Sequence, residues 1–85
     1  MPEISRFLGI IISMIYDDHN PPHFHATYGD YKITIEINSG IVTGKFPKRA
    51  LKAILEWQEI YHDKLLEDWE LALKHEVLKK IPPLE

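Results

Sequence analysis

Hydrophobic and polar positions follow a two-residue period in the first half of the chain and a three-and-four spacing in the second half. Residues 7–16 form an apolar run whose four isoleucines, internal Gly9 and ten-residue length favour a strand over a helix, so we predict one inner strand there. Residues 23–28 and 31–37 alternate on both sides of Gly29-Asp30, a two-residue turn signal that predicts a hairpin. A fourth strand is expected over residues 41–46.

The predicted hairpin fixes which side chains share a face. With Gly29-Asp30 as the turn, Tyr28 pairs with Tyr31 and His23 pairs with Glu36, and a one-residue slip would move charges into the core. A second turn at Ser39-Gly40 pairs Ile37 with Val42. The polar face then carries His23, His25, Thr27, Lys32, Thr34, Glu36, Thr43 and Lys45, and the opposite face carries Phe24, Ala26, Tyr28, Tyr31, Ile33, Ile35, Ile37 and Phe46.

From Pro47 the apolar positions follow helical spacing to about residue 75, and proline suits a first helical turn. One long helix over 47–75 is the prediction, with a bend at His62-Asp63 as the alternative. Residues 76–85 read as an extended tail that docks on the core or on a partner. The expected fold is α+β: one domain over 1–85, with a four-stranded antiparallel meander and a C-terminal helix across its apolar face.

Composition narrows the classes of protein without selecting a function. The chain has no cysteine, which excludes disulfides and thiolate metal sites. Its longest apolar run, Phe7 to Ile15, is well below the ~20 residues of a membrane-spanning helix, and no signal peptide is recognisable. We therefore expect a cytoplasmic protein that does not enter membranes. Residues 1–55 carry six basic and five acidic side chains, whereas residues 56–85 carry four and eight.

Three histidines and two prolines lie within Asp17–His25, so this stretch is the candidate site. His23 and His25 project to the same side of a strand, where Glu36 faces His23. One interpretation makes these three residues an acid–base group acting on a phosphodiester. A second places a divalent metal such as zinc on His19, His23 and His25. A third interpretation is an ordinary solvated sheet face.

Basic residues gather beside the predicted helix start, and no Ser, Thr, Asp or Asn precedes Pro47 to cap its first amides. Unpaired amides beside cations are typical of phosphate sites. Helix stabilisation by packing alone is the alternative. The residues expected to bind the phosphates of RNA or DNA are Lys32, Lys45, Lys48 and Arg49.

The aromatic residues Trp57, Tyr61 and Trp69 are expected in the core or in a dimer contact. Because the core of so short a chain is marginal, we predict a homodimer.

Several segments resemble one small bacterial family, number four-one-six-zero among the domains of unknown function. The resemblance covers essentially the whole chain, and its most specific part is His19-Asn20-Pro21-Pro22-His23-Phe24-His25. It implies a small cognate protein encoded nearby and a toxin–antitoxin-like pair, without implying catalytic residues. The other matching segments are Met1–Phe7, Tyr28–Tyr31, Glu56-Trp57 and Asp68–Glu70.

Three functions follow as expectations. The first is a component of a toxin–antitoxin-like module that engages RNA or DNA through the histidine face; if an enzyme, it is a nuclease or another phosphodiester hydrolase. The second is a metal-binding protein or metal-dependent hydrolase. The third is a non-catalytic interaction module whose acidic helix and tail bind a basic partner.

Overall fold

A computed structural model describes residues 2–85, which form one five-stranded antiparallel sheet followed by two helices. The strands lie side by side in chain order. The α+β class and the antiparallel meander are confirmed, whereas the number of strands and helices differs from the prediction. The elements are β1 (Glu3–Phe7), β2 (Ile10–Ser13), β3 (His23–Tyr28), β4 (Tyr31–Glu36), β5 (Val42–Gly44), α1 (Lys48–Ile60) and α2 (His62–Leu73).

The single strand predicted over residues 7–16 is wrong, because the chain reverses at Leu8-Gly9 and forms a hairpin from β1 and β2. Phe7 pairs with Ile10 across a two-residue turn. Leu8 and Gly9 have φ of 51° and 78°, the left-handed values that a type I′ turn requires at both positions. Leucine seldom adopts this conformation, so the apolar run contained no turn signal.

The hairpin of β3 and β4 has the predicted register at every position. His23 pairs with Glu36, His25 with Thr34 and Tyr28 with Tyr31. Phe24, Ile33 and Ile35 are buried on the opposite face, at 0%, 3% and 0% exposure.

The pairing predicted for the last strand is wrong by two residues. Val42 pairs with Ile35 rather than with Ile37, and the strand ends at Gly44. The turn is longer because Ile37 turns into the core, while the Ser39 hydroxyl donates to the Glu36 carboxylate and accepts from the Ile41 N–H. A shift of two residues preserves alternation, so Thr43 is still on the polar face, now opposite Thr34 instead of Glu36.

The long helix predicted over residues 47–75 is two helices, because the backbone leaves helical geometry at Tyr61, with φ −108° and ψ 25°. The apolar spacing continues through Tyr61, which is why one long helix was predicted; the break lies directly before His62-Asp63, where a bend was the alternative. Trp57 of α1 packs against Phe7 and Phe24 of the sheet. The buried Gln58 donates to the carbonyls of Glu36 and Ile37 and so fixes α1 to the end of β4.

Residues 76–85 form no helix or strand, and they dock on the core. The Ile81 N–H donates to the Ile4 carbonyl, and its side chain is 4% exposed. The Trp57 indole N–H donates to the Pro82 carbonyl. Val77, by contrast, is 85% exposed. No helix among residues 2–85 is both long and apolar enough to cross a membrane.

Candidate functional site

The loop between β2 and β3 brings a carboxylate over the two strand histidines. Three backbone hydrogen bonds fix this loop to the rest of the fold. The Met14 N–H donates to the Pro2 carbonyl, the Asp17 N–H to the Ala72 carbonyl of α2, and the Ile37 N–H to the Pro22 carbonyl. These hydrogen bonds position the loop so that the Asp18 carboxylate lies above the polar face of β3.

One oxygen of the Asp18 carboxylate lies close to a ring nitrogen of both His23 and His25. Asp18 Oδ2 lies 2.9 Å from His23 Nε2 and 3.3 Å from His25 Nε2. One ligand atom from each of these three residues lies within 4.8 Å of the others. Two atoms bound to one metal at ~2.0–2.1 Å are themselves roughly 2.8–3.4 Å apart, for angles at the metal from about 90° to tetrahedral, so both distances are compatible with ligands of a shared ion.

The other nitrogen of His23 determines the state of the ring. His23 Nδ1 is 2.8 Å from the Pro21 carbonyl oxygen, which can only accept, so Nδ1 must donate. In a neutral ring Nε2 then carries a lone pair, and it faces the Asp18 oxygen, also an acceptor. Two acceptors at this distance require a positive centre between them, either a proton or a metal ion. A backbone carbonyl on Nδ1 is the usual partner of a histidine that binds metal through Nε2.

His23 is nearly buried, whereas the sequence placed it on an open sheet face. Its side chain is 8% exposed, compared with 21% for His25. The Trp69 ring of α2 packs against it, with ring centroids 5.3 Å apart. The tight packing and the Pro21 contact fix the ring orientation, which favours a preorganised site over a mobile surface histidine.

The pKa of Asp18 lies below its ordinary value. Burial acts to raise it, but the His19 N–H, the hydrogen bond with His25 and the charge and hydrogen bond of His23 together outweigh burial. The group therefore supplies a carboxylate at neutral pH, as a metal ligand or an ion-pair partner must.

The site lies in a cleft of about 480 Å³ on the polar face of the sheet. The Glu36 carboxylate is on its wall, where one oxygen accepts from the Ser39 hydroxyl. The cleft is lined by Ile15, Asp18, His19, Pro21, His23, His25, Thr34, Glu36 and Thr43.

The structure brings together some of the predicted site residues and separates others. His23 and His25 meet as expected. Glu36 pairs with His23 across the strands, but its carboxylate accepts a hydrogen bond from the Ser39 hydroxyl. The carboxylate that contacts the imidazoles is that of Asp18. His19 stands outside the ligand group, with a side chain 83% exposed and Nδ1 2.9 Å from the other Asp18 oxygen.

The four predicted phosphate-binding residues are exposed, and they line no part of this cleft. Lys32 lies two residues before Thr34 on β4, which is about 7 Å along a strand. Arg49 borders a separate small cleft with Leu8 and Tyr28. Lys48 begins α1, whose first turn has no side-chain cap.

A family model described as a domain of unknown function (DUF4160) matches residues 9–70, which include the candidate site. Comparison with curated proteins and with solved structures gave no match.

Proposed function

Since the chain belongs to the DUF4160 family, whose description names no activity, we propose a function from the site itself: a divalent metal centre that hydrolyses phosphodiesters. The ligands are the Asp18 carboxylate and the Nε2 atoms of His23 and His25. The observation that carries the proposal is the double constraint on His23, whose Nδ1 must donate to Pro21 while Nε2 faces a carboxylate oxygen.

The ligand set indicates which metals fit. Two imidazoles and one carboxylate suit Zn²⁺ and similar first-row ions, and three protein ligands leave a coordination position for water or substrate. A metal in this position would lower the pKa of a bound water and polarise a phosphoryl oxygen.

Glu36 supplies the proton acceptor in this proposal. It lies on the cleft wall, and one of its carboxylate oxygens has no hydrogen-bond partner among residues 2–85. Thr34 and Thr43 offer hydroxyls to the same cleft. Lys32, further along β4, and Lys45, after β5, would attract the phosphate backbone of RNA or DNA as it approaches.

Titration calorimetry with ZnCl₂ tests the metal centre. We expect one ion per chain. In Asp18→Asn and in His25→Ala the zinc affinity should fall by at least about a hundredfold, because each change removes a ligand. His19→Ala should lower the affinity much less than these two changes, since His19 contacts Asp18 but lies outside the ligand group. His62→Ala is the matched control at a distant histidine.

Two results would contradict the metal centre. One is the absence of any zinc binding by the wild-type chain, with circular dichroism showing that it is folded. The other is loss of binding in His19→Ala with full binding in Asp18→Asn, which would favour the ligand set expected from the sequence. Hydrolysis of bis-p-nitrophenyl phosphate, with and without EDTA, then tests the reaction.

A second candidate is metal-free acid–base cleavage of RNA, and the 2.9 Å contact between His23 and Asp18 favours it. A proton shared between these groups makes an imidazolium–carboxylate pair, and His25 would be the second catalytic imidazole. Such a site requires the 2′-hydroxyl as nucleophile. Cleavage of an RNA oligonucleotide in EDTA, with the matching DNA left intact, would support this candidate, whereas full inhibition by EDTA would exclude it.

The toxin–antitoxin-like role and the cognate protein partner stay predictions, supported by the family resemblance. Phosphodiester hydrolysis would give such a pair its toxic activity. Expression of the wild-type chain alone should then slow bacterial growth, and expression of His25→Ala should not. Equal growth in both strains at equal protein levels would count against a toxin role for this chain.

A further inference from the structure

The exposed face of α1 has an ordered pattern of charge around an apolar centre. Six residues line a groove of about 350 Å³ along this helix, and at 100° per residue they lie within about 140° of one another. Leu55, near the middle, is 37% exposed. The groove is lined by Lys48, Leu51, Lys52, Leu55, Glu56 and Glu59.

The two signs of charge are separated along the helix axis. Lys48 and Lys52 lie in the N-terminal half of the groove, and Glu56 and Glu59 lie in the C-terminal half. This order opposes the helix macrodipole, which favours acidic residues at the start and basic residues at the end. The first turn contains no acid, and the last turn no base.

No contact within the chain compensates for this unfavourable order. Among residues 2–85, none of the four side chains takes part in an ion pair. The start of α1 also lacks a side-chain cap. The charges therefore remain available to a partner.

A second copy of the same helix, laid antiparallel, matches the pattern. A two-fold axis close to residue 54 places Lys52 level with Glu56 of the other copy, and Lys48 level with Ile60, one residue from Glu59. Leu55 then lies beside Leu55 and Leu51 of the other copy. The macrodipoles of the two helices also run antiparallel, which is the favourable arrangement.

We propose that this protein forms a two-fold homodimer through antiparallel pairing of α1. Each cross-pair occurs twice by symmetry, so four lysine–glutamate pairs lie beside the leucines of the two copies. The groove continues past Leu55 to Glu59 and Ile60, and Ile60 is 63% exposed. The interface is independent of the proposed metal centre, since the two clefts share no lining residue.

Sedimentation equilibrium of the full chain tests the dimer, and the wild type should associate reversibly and less strongly at high salt. Lys48→Glu with Lys52→Glu turns all four pairs repulsive, so the dimer dissociation constant should rise about tenfold or more. Glu56→Lys with Glu59→Lys should weaken self-association equally.

Combined variants give the sharpest result. An equimolar mixture of the two double variants should restore a dimer, because one copy then offers only acids and the other only bases. The quadruple variant that exchanges both pairs of signs should also form a homodimer, because its pattern is again self-complementary when antiparallel.

Lys64→Glu with Lys74→Glu is the control, since it makes the same change of charge on α2 and at the residue directly after it, and should leave the association unchanged. A monomeric wild type at millimolar concentration overturns the proposal. So does a dimer that both double variants leave intact, which would place the interface elsewhere. Thermal unfolding of each variant, followed by circular dichroism, confirms that dissociation is not unfolding.

Discussion

Asp68 shows how one buried carboxylate can make stability depend on pH. The residue is 1% exposed, Oδ1 accepts the Lys79 N–H, and Oδ2 has no hydrogen-bond partner among residues 2–85. Burial and then the negative charge of Glu67 raise its pKa above the ordinary value, while the Lys79 N–H and the Lys79 and Lys64 charges act in the opposite direction.

The raised pKa determines whether the contribution of Asp68 to stability increases or decreases with pH. The folded state favours protonated Asp68, so its contribution to stability is complete below the ordinary range of aspartate, near pH 4, and is lost as the pH rises through the folded-state pKa. Asp68→Asn cannot ionise. We therefore expect the free energy of unfolding of the variant, relative to that of the wild type, to increase as the pH rises from 4 to 7.

Urea unfolding of both proteins at several pH values measures this difference. The amide of the variant is also buried, but any cost of that burial is the same at each pH. A difference between the two free energies that stays constant with pH would show that Asp68 does not ionise differently in the folded and unfolded states.

Asp18 is the site residue that the sequence pattern did not single out. The predicted face relied on strand pairing, which identifies Glu36 as the partner of His23, and strand alternation cannot say where a loop carboxylate points. The signal was present as neighbouring acids, Asp17 and Asp18, directly before the histidine cluster. Only the anchoring of the loop decides which of them reaches the imidazoles.

At the scale of single elements, β5 depends on a glycine that nothing larger can replace. Gly44 has φ of 111°, and a Cβ added there would lie 2.7 Å from the Lys32 carbonyl oxygen of the neighbouring strand. Backbone atoms cannot give way as a flexible side chain can. This glycine therefore fixes how β5 ends against β4.

We expect Gly44→Ala to lower the free energy of unfolding by about 3 kcal/mol or more, because it adds a clash to a strained backbone conformation. Gly40→Ala is the matched control: Gly40 also has a positive φ, 76°, but nothing lies within 4 Å of its added Cβ. It should lose only about 1–2 kcal/mol. Equal losses in urea unfolding would mean that the contact with Lys32 relaxes freely.

On the scale of the whole molecule, the C-terminal residues join the two ends of the chain. The Ile81 N–H donates a hydrogen bond to the Ile4 carbonyl of β1, and the neighbouring Pro82 carbonyl accepts one from the Trp57 indole N–H. The first strand, the first helix and the last ten residues thus share one core. A segment without helix or strand is therefore part of the folded unit.

Truncation of the buried Ile81 side chain tests this role. Ile81→Ala should lower the free energy of unfolding by about 2–4 kcal/mol, since it leaves a cavity in the core. Val77→Ala, at an exposed position of the same segment, should change it by less than about 0.5 kcal/mol. Similar small effects of both changes would indicate that residues 76–85 do not stabilise the fold.

The sequence by itself determined the hairpin of β3 and β4, its register and its two faces. These follow from a two-residue alternation around a turn that glycine marks, and both are local properties of the chain. The three-and-four spacing of apolar positions also predicted helix over residues 47–75, within which α1 and α2 lie. The placement of both site histidines on one face of the sheet therefore follows from local sequence alone.

Tertiary structure decided the rest. The left-handed turn at Leu8-Gly9, the break at Tyr61 and the contact between Asp18 and the histidines have no local signal strong enough to specify them. The turn forms as β1 pairs with β2, and the carboxylate is placed by a loop whose backbone hydrogen-bonds to Ala72 of α2 and to Ile37, both distant along the chain. Alternation orients side chains within an element, but only the packed core fixes one element relative to another.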